Sequence, residues 1–252
     1  MKIRLMAAFA SLILAALPAF AQGRGNQPKA PAGPAPKMPD GHPDLQGVWR
    51  PQPNFSFDIS KALAPGESIE PLPWAAKLAA ERMSKDDPEA NCQPTGVPRM
   101  APYPWKIIQQ PNLIVFLFEA NMRSYRQIFM NRTTHPKDPN PTWFGDSIGH
   151  WEGDTLVVDT TGFNDRFWFD FAGRPHSEQL HTIERYRRLD AETLEDRVTV
   201  IDPGAYAKPF TLVAKMPLMH EEMIEYICTE NNKDVQHIVG KEGVDAPAPR
   251  ER

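Results

Sequence analysis

Four times between Asn112 and Thr229 the sequence sets two β-rich runs around a short turn, a repeat that confines the chain to hairpin-built folds. The first unit joins Asn112–Phe118 to Met122–Met130 through Glu119-Ala120-Asn121. The second joins Ser147–Trp151 to Thr155–Thr161 at Glu152-Gly153-Asp154, where glycine supplies the positive φ of a tight turn. The third joins Leu180–Leu189 to Leu194–Ile201 through residues 190–193, and the fourth joins Phe210–Met216 to Met223–Thr229 through Pro217. With a short strand ending at Trp49, the eight runs suffice for a sheet to close on itself and lose its exposed edges. An eight-stranded barrel encloses room for one small ligand. Strand counting alone leaves a β-sandwich open as the alternative.

The rest of the chain is not sheet-like. Pro71–Met83 predicts one helix, with Pro73 in its first turn and Trp74, Leu78 and Ala79 on one face. Residues 87–111 hold six prolines and predict an ordered loop. At the start, Lys2 and Arg4, the apolar run Leu5–Leu17 and Ala19-Phe20-Ala21 form the three parts of a secretory signal over residues 1–21. The apolar run is about 13 residues, against the roughly 20 needed to span a bilayer. Residues 22–43, rich in Pro, Ala and Gly, predict a tether, and residues 241–252 a flexible tail, leaving one folded domain over 44–240. The predicted location is periplasmic or secreted.

The formal charge is −4, and about −6 once Lys2 and Arg4 are removed. That balance argues against a nucleic-acid partner and against a polybasic membrane contact, so no membrane insertion is expected after signal removal. Oligomeric state is not legible. In an oxidising compartment the two cysteines, Cys92 and Cys228, read as a disulfide tying the Pro-rich loop to the last strand; two free thiols are the alternative.

Gly47-Val48-Trp49 resembles the Gly-x-Trp that opens lipocalin-like barrels. A broader resemblance, over residues 40–235, is to a family of uncharacterised exported bacterial proteins. It is carried by Pro43–Trp49, by Asn91-Cys92-Gln93-Pro94-Thr95-Gly96-Val97-Pro98-Arg99, by Gly149–Thr160, by Glu184–Arg188 and by Asp202-Pro203. The resemblance implies export and a barrel-like fold, and it carries no catalytic residue across. The expected fold is all-β: an antiparallel lipocalin-like barrel of about eight to nine strands, with one N-terminal helix and long Pro-rich loops. Haem-binding barrels of the nitrobindin type continue the opening with further glycines, whereas Arg50-Pro51-Gln52-Pro53-Asn54 follows here.

Chemistry is suggested by acids, histidines and arginines on predicted strands. Asp146 and His150 lie four apart, on one face of an extended strand, where the carboxylate would orient the imidazole as a general base. Solvent exposure at a turn edge is the competing reading for His150. In the third hairpin, His181, Ile183 and Arg185 share one face and Thr182, Glu184 and Tyr186 the other, so either choice puts a charge inside. A buried charge needs a partner: Arg123 or Arg126 for Glu184, or Glu119 for Arg185. His181 and Glu184 are a second candidate proton-moving pair, with Arg126 stabilising developing negative charge. A structural ion-pair network is the bland alternative.

Three further readings remain. His176 and His181, with His150 or Glu184, offer a possible divalent metal site such as zinc, although the His-x4-His spacing fits no standard zinc pattern. No cofactor is the expectation. His135 and His220 read as loop residues. Trp143, Trp151, Phe167, Trp168, Tyr186 and His176 suggest a wall for a flat or sugar-like ligand, against a plain plug over the barrel end. No nucleotide-binding glycine loop, serine-hydrolase elbow or haem-attachment motif occurs. Three functions compete: a small-molecule lyase, isomerase or hydrolase working by acid–base chemistry in the barrel, a lipocalin-like binding protein for a small apolar or aromatic ligand, and an envelope interaction module.

Overall fold

The computed structural model describes residues 32–51, 53–100, 103–120, 124–228 and 230; the signal segment, residues 22–31, Arg123 and the tail from 231 lie outside them. Nine strands form one closed barrel in chain order, β9 returning to pair with β1. They are β1 (Gly47–Trp49), β2 (Trp105–Gln110), β3 (Leu113–Phe118), β4 (Tyr125–Phe129) and β5 (Asp146–Glu152), then β6 (Thr155–Thr161), β7 (His181–Arg188), β8 (Thr193–Ile201) and β9 (Phe210–Met219). Two helices, α1 (Pro53–Phe57) and α2 (Pro73–Glu81), lie between β1 and β2. Among the described residues no helix is long and apolar enough to cross a membrane.

The expected barrel is present, with its strands redistributed. The prolines at 102, 104 and 111 disguise β2, yet Trp105–Gln110 alternates buried and half-buried positions with the period of a strand. The fourth hairpin does not form. β9 runs straight through Pro217 and already has β8 and β1 on its two edges, so residues 223–228 find no ladder, and Ile224 is 68% exposed. All joins are antiparallel except β4–β5, which is parallel through Ile128↔Ser147 and Phe129↔Ile148. Residues 130–145 are long enough to carry the chain back to the end where β4 began.

That crossover makes the two ends of the barrel unlike. Tight turns close one end at residues 111–112, 153–154 and 189–192. The long segments 50–104, 162–180 and 202–209 all emerge at the other. There, residues 95–100 form a plug, with Val97 and Met100 buried, and the aromatic loop adds Phe163, Phe167 and Phe169, each fully buried. The Cys92–Cys228 disulfide anchors this cap. At the tight-turn end the described part of the Pro-rich stretch is docked rather than free: Gly33 O accepts from Ala191 N, and His42 stacks on Trp151.

The lumen is a core. Trp49, Trp105, Phe116, Tyr186 and Phe210 are almost wholly excluded from solvent, each contributing on the order of 2 kcal/mol of apolar burial. On α2 the buried residue is Ala75, while Trp74 stands 43% exposed.

Candidate functional site

Period-two alternation on β5, β6 and β7 places two polar groups on opposite sides of one patch of barrel wall. Asp146, Asp159 and His181 point outward, and their neighbours Ser147, Thr160 and Thr182 point inward.

Inside, Arg126 of β4 holds Glu184 of β7 through both guanidinium nitrogens, one of them at 2.9 Å. Its Nε donates to Ser147 Oγ at 3.1 Å and Nη2 to Thr160 Oγ1 at 2.9 Å. Burial works against the Arg126 charge, but Glu184 beside it prevails and raises its pKa further above the usual arginine value. Tyr186 Oη donates its one proton to Glu184 Oε1 at 2.6 Å. Facing Tyr186 across the β7–β8 ladder is Asp196, fully buried, with the Tyr186 side chain as its hydrogen-bonding neighbour. Desolvation, reinforced by Glu184, pushes the Asp196 pKa well above the carboxylate range. The centre thus holds two carboxyl groups for one guanidinium, and burial favours the neutral form of Asp196. Met100 of the plug covers it, its Sδ 3.9 Å from both Arg126 Nη1 and Tyr186 Oη.

Outside, four groups form an unbroken chain. His135, on the crossover, donates from Nδ1 to Asp146 Oδ1 at 2.8 Å and from Nε2 to Asp159 Oδ1 at 2.9 Å. His181 Nε2 donates to that same Asp159 oxygen at 2.8 Å. Arg132 Nη2 braces Asp146 at 2.7 Å while its guanidinium lies over the Phe129 ring. Carboxylate oxygens only accept, so both His135 bonds require a proton on each ring nitrogen. All four groups keep partial access, with His181 31% and Asp159 36% exposed.

The structure therefore separates the pairings that spacing suggested. Asp146 and His150 do share the outer face, but Asp146 bonds to His135 and Arg132, while His150 is 59% exposed and pairs with Glu152. His181 and Glu184 lie on opposite sides of the wall, as the alternation dictates, and cannot act as one pair. Arg126 is the partner of Glu184, whereas Arg185 pairs with Glu152 instead of Glu119. His150, His176 and His181 do not converge. Among the described residues no group of three His, Cys, Asp or Glu is arranged to hold a metal ion.

The aromatic candidates are scattered too. Phe167 is core, Trp168 lies 4.7 Å beneath the Arg82 guanidinium, and Trp143 packs half-buried on the core. Trp151 sits at the opposite end of the barrel, and Tyr186 in its centre. His176 is enclosed by Phe167 and Phe169, and burial depresses its imidazole to about 4. Sequence reasoning missed His135, Asp159 and Asp196. For Asp196 the signal was present: Leu194, Asp196, Val198 and Val200 share one face of β8, an acid in an apolar register. No protein-family model, curated protein or solved structure matches the chain.

Proposed function

We propose that this protein is an exported enzyme performing acid–base chemistry on a small molecule, of lyase, isomerase or hydrolase type, at the outer-wall chain rather than in the lumen. One observation carries the reading: Asp146, His135, Asp159 and His181 form a continuous hydrogen-bonded series that solvent can reach. With its proton on Nε2 and held by Asp159, His181 presents Nδ1, which has no partner among the described residues, as the basic nitrogen. A proton taken there creates an imidazolium that Asp159 stabilises at 2.8 Å, and His135 keeps Asp159 in place. Carboxylate-oriented histidines of this kind typically contribute about 10²–10⁴-fold to rate. The disulfide supports export, since such bonds persist in oxidising compartments. The lumen readings have less support, because buried rings fill the barrel and Glu184 is fully engaged by Arg126.

The test uses two general probes, p-nitrophenyl acetate for acyl transfer and 5-nitrobenzisoxazole for proton abstraction. Purified protein should turn over at least one of them faster than buffer, with loss of about 10²-fold or more in His181→Asn and Asp159→Asn. Both variants change half-exposed side chains, and melting curves would verify their folding. A wild-type rate equal to buffer, or unchanged in both variants, would overturn the proposal.

A further inference from the structure

On the outer face of the barrel one arginine pair breaks the charge pattern of its neighbours. Across β7 and β8 Arg187 faces Glu195, and across β8 and β9 Glu195 faces Lys215, opposite signs in both cases. Two residues along the same ladder Arg185 faces Arg197. Like charges directly opposite each other on paired strands are unfavourable. On its other side Arg197 faces Val213, so neither ladder neighbour offers it a carboxylate. Both arginines are exposed; Glu152 accepts from Arg185 Nη1 at 2.8 Å, whereas Arg197 has no partner among the described residues.

The pair stands at one end of a strip whose other end is the outer-wall chain. His181, Ile183 and Arg185 point outward in succession on β7, each about 6.6 Å from the next. In the row between imidazole and guanidinium, Ile183 and Ile148 flank Asp159 on its two sides, and both are half-buried. Thr199 and Thr211 continue that row beyond Ile183, their hydroxyls 3.2 Å apart and bonded to each other. A basic nitrogen, an aliphatic patch and a cationic pair thus follow one another along a single strand. The charge at the far end is also limited: two guanidinium groups less the Glu152 carboxylate leave a net +1, which suits a monoanion better than a dianion.

We infer that the outer wall takes an apolar-bodied carboxylate, with the acid group received by Arg197 and Arg185, the body lying along Ile183, and the far end reaching His181. Planar guanidinium groups offer paired donors matched to the two oxygens of a carboxylate. Such a ligand supplies the counter-charge that Arg197 lacks and separates two arginines that otherwise repel each other. The inference rests on the proposed function only in making this ligand a substrate; the binding itself stands on the strip.

Isothermal titration of the full chain with octanoate tests the inference, against acetate as the acid without a body and 1-octanol as the body without an acid. Octanoate should bind saturably and about fivefold or more tighter than either. Arg185→Gln and Arg197→Gln, both exposed positions, should each weaken it by about threefold or more, and Ile183→Thr, which keeps a β-branched side chain, should do likewise. Arg166→Gln, at an exposed arginine of the cap, removes the same charge elsewhere and should bind as wild type does. No saturable binding of octanoate, 1-octanol binding as tightly, affinity unchanged in both Arg185→Gln and Arg197→Gln, or an equal loss in Arg166→Gln would overturn the assignment. Octanoate binding that needs both strand arginines, in a protein that turns over neither nitrophenyl acetate nor nitrobenzisoxazole, would remove the proposed function and support this site. Turnover of those neutral probes without octanoate binding would remove the site and leave the proposed function standing.

Discussion

His181 and Glu184, three residues apart on β7, stand on opposite sides of the barrel wall, one bonded outward to Asp159 and the other inward to Arg126. An odd spacing on a strand makes this unavoidable. A residue pair that looks like one acid–base unit in the sequence is therefore two systems: a fully buried ion pair and a half-exposed imidazole.

The buried pair makes a sharp stability prediction. Arg126→Met leaves Glu184 without its counter-charge and takes a donor from Ser147 and Thr160, so it should cost about 3–5 kcal/mol in urea unfolding. Adding Glu184→Gln should cost much less than the sum of the two single changes, because each single variant strands a partner. Additive losses would mean that the two side chains are not energetically coupled.

How far the sequence could be read follows from these cases. Strand alternation put His181 and Glu184 on opposite faces without deciding which turned inward, and the need for a partner offered Arg123 or Arg126 for Glu184, or Glu119 for Arg185, because period two and charge burial are local rules. The crossover before β5 was not legible: nothing in residues 130–145 announces a parallel return, and only that return brings His135 onto Asp146 and Asp159. The failed hairpin at 223–228 has the same origin, since whether a β-prone run pairs depends on which edges remain open.

The plug is tested at Gly96. A Cβ there would lie 2.5 Å from the Phe167 ring, at a φ of +65°. Gly153 shares that left-handed conformation, at +59°, with nothing within 4 Å. Both alanine variants carry a backbone penalty of about 1–2 kcal/mol, and Gly96→Ala adds about 1–3 kcal/mol of overpacking. Gly96→Ala should therefore melt clearly below Gly153→Ala; equal melting would mean that Phe167 yields freely.

Reducing the disulfide should destabilise the barrel without touching its core. The bond spans 136 positions, worth about 4–5 kcal/mol in the chain-entropy model. Unfolding of Cys92→Ser/Cys228→Ser against wild type, in the absence of reductant, measures it. A loss under about 1 kcal/mol would show that the plug is held by packing and by the Arg99 pairs with Asp87 and Glu89 instead.

His176 should make the protein acid-sensitive. Burial lowers its folded value to about 4 from an ordinary 6.5, so its contribution is complete above the unfolded value and is lost as pH falls toward 4. The full span is worth roughly 3 kcal/mol. His176→Phe, unable to titrate, should flatten the decline in unfolding midpoint between pH 6.5 and 4; an unaltered slope would place the acid sensitivity elsewhere.

Asp196 should act in the opposite direction. Its folded pKa is raised, so between the ordinary and the raised value the folded state binds a proton that the unfolded chain has released. The stability it contributes is complete below the ordinary carboxyl value of about 3.9 and declines as pH climbs toward the raised folded value. Its hydrogen-bonding neighbour Tyr186 donates its proton to Glu184, so ionised Asp196 would be a buried charge beside a second carboxylate. Asp196→Asn keeps the shape and cannot ionise. The variant should gain on wild type in urea midpoint as pH climbs from the ordinary carboxyl value toward the raised folded one. A constant gap across that range would mean that Asp196 is ionised in the folded barrel and that a charge partner outside the described residues stabilises it.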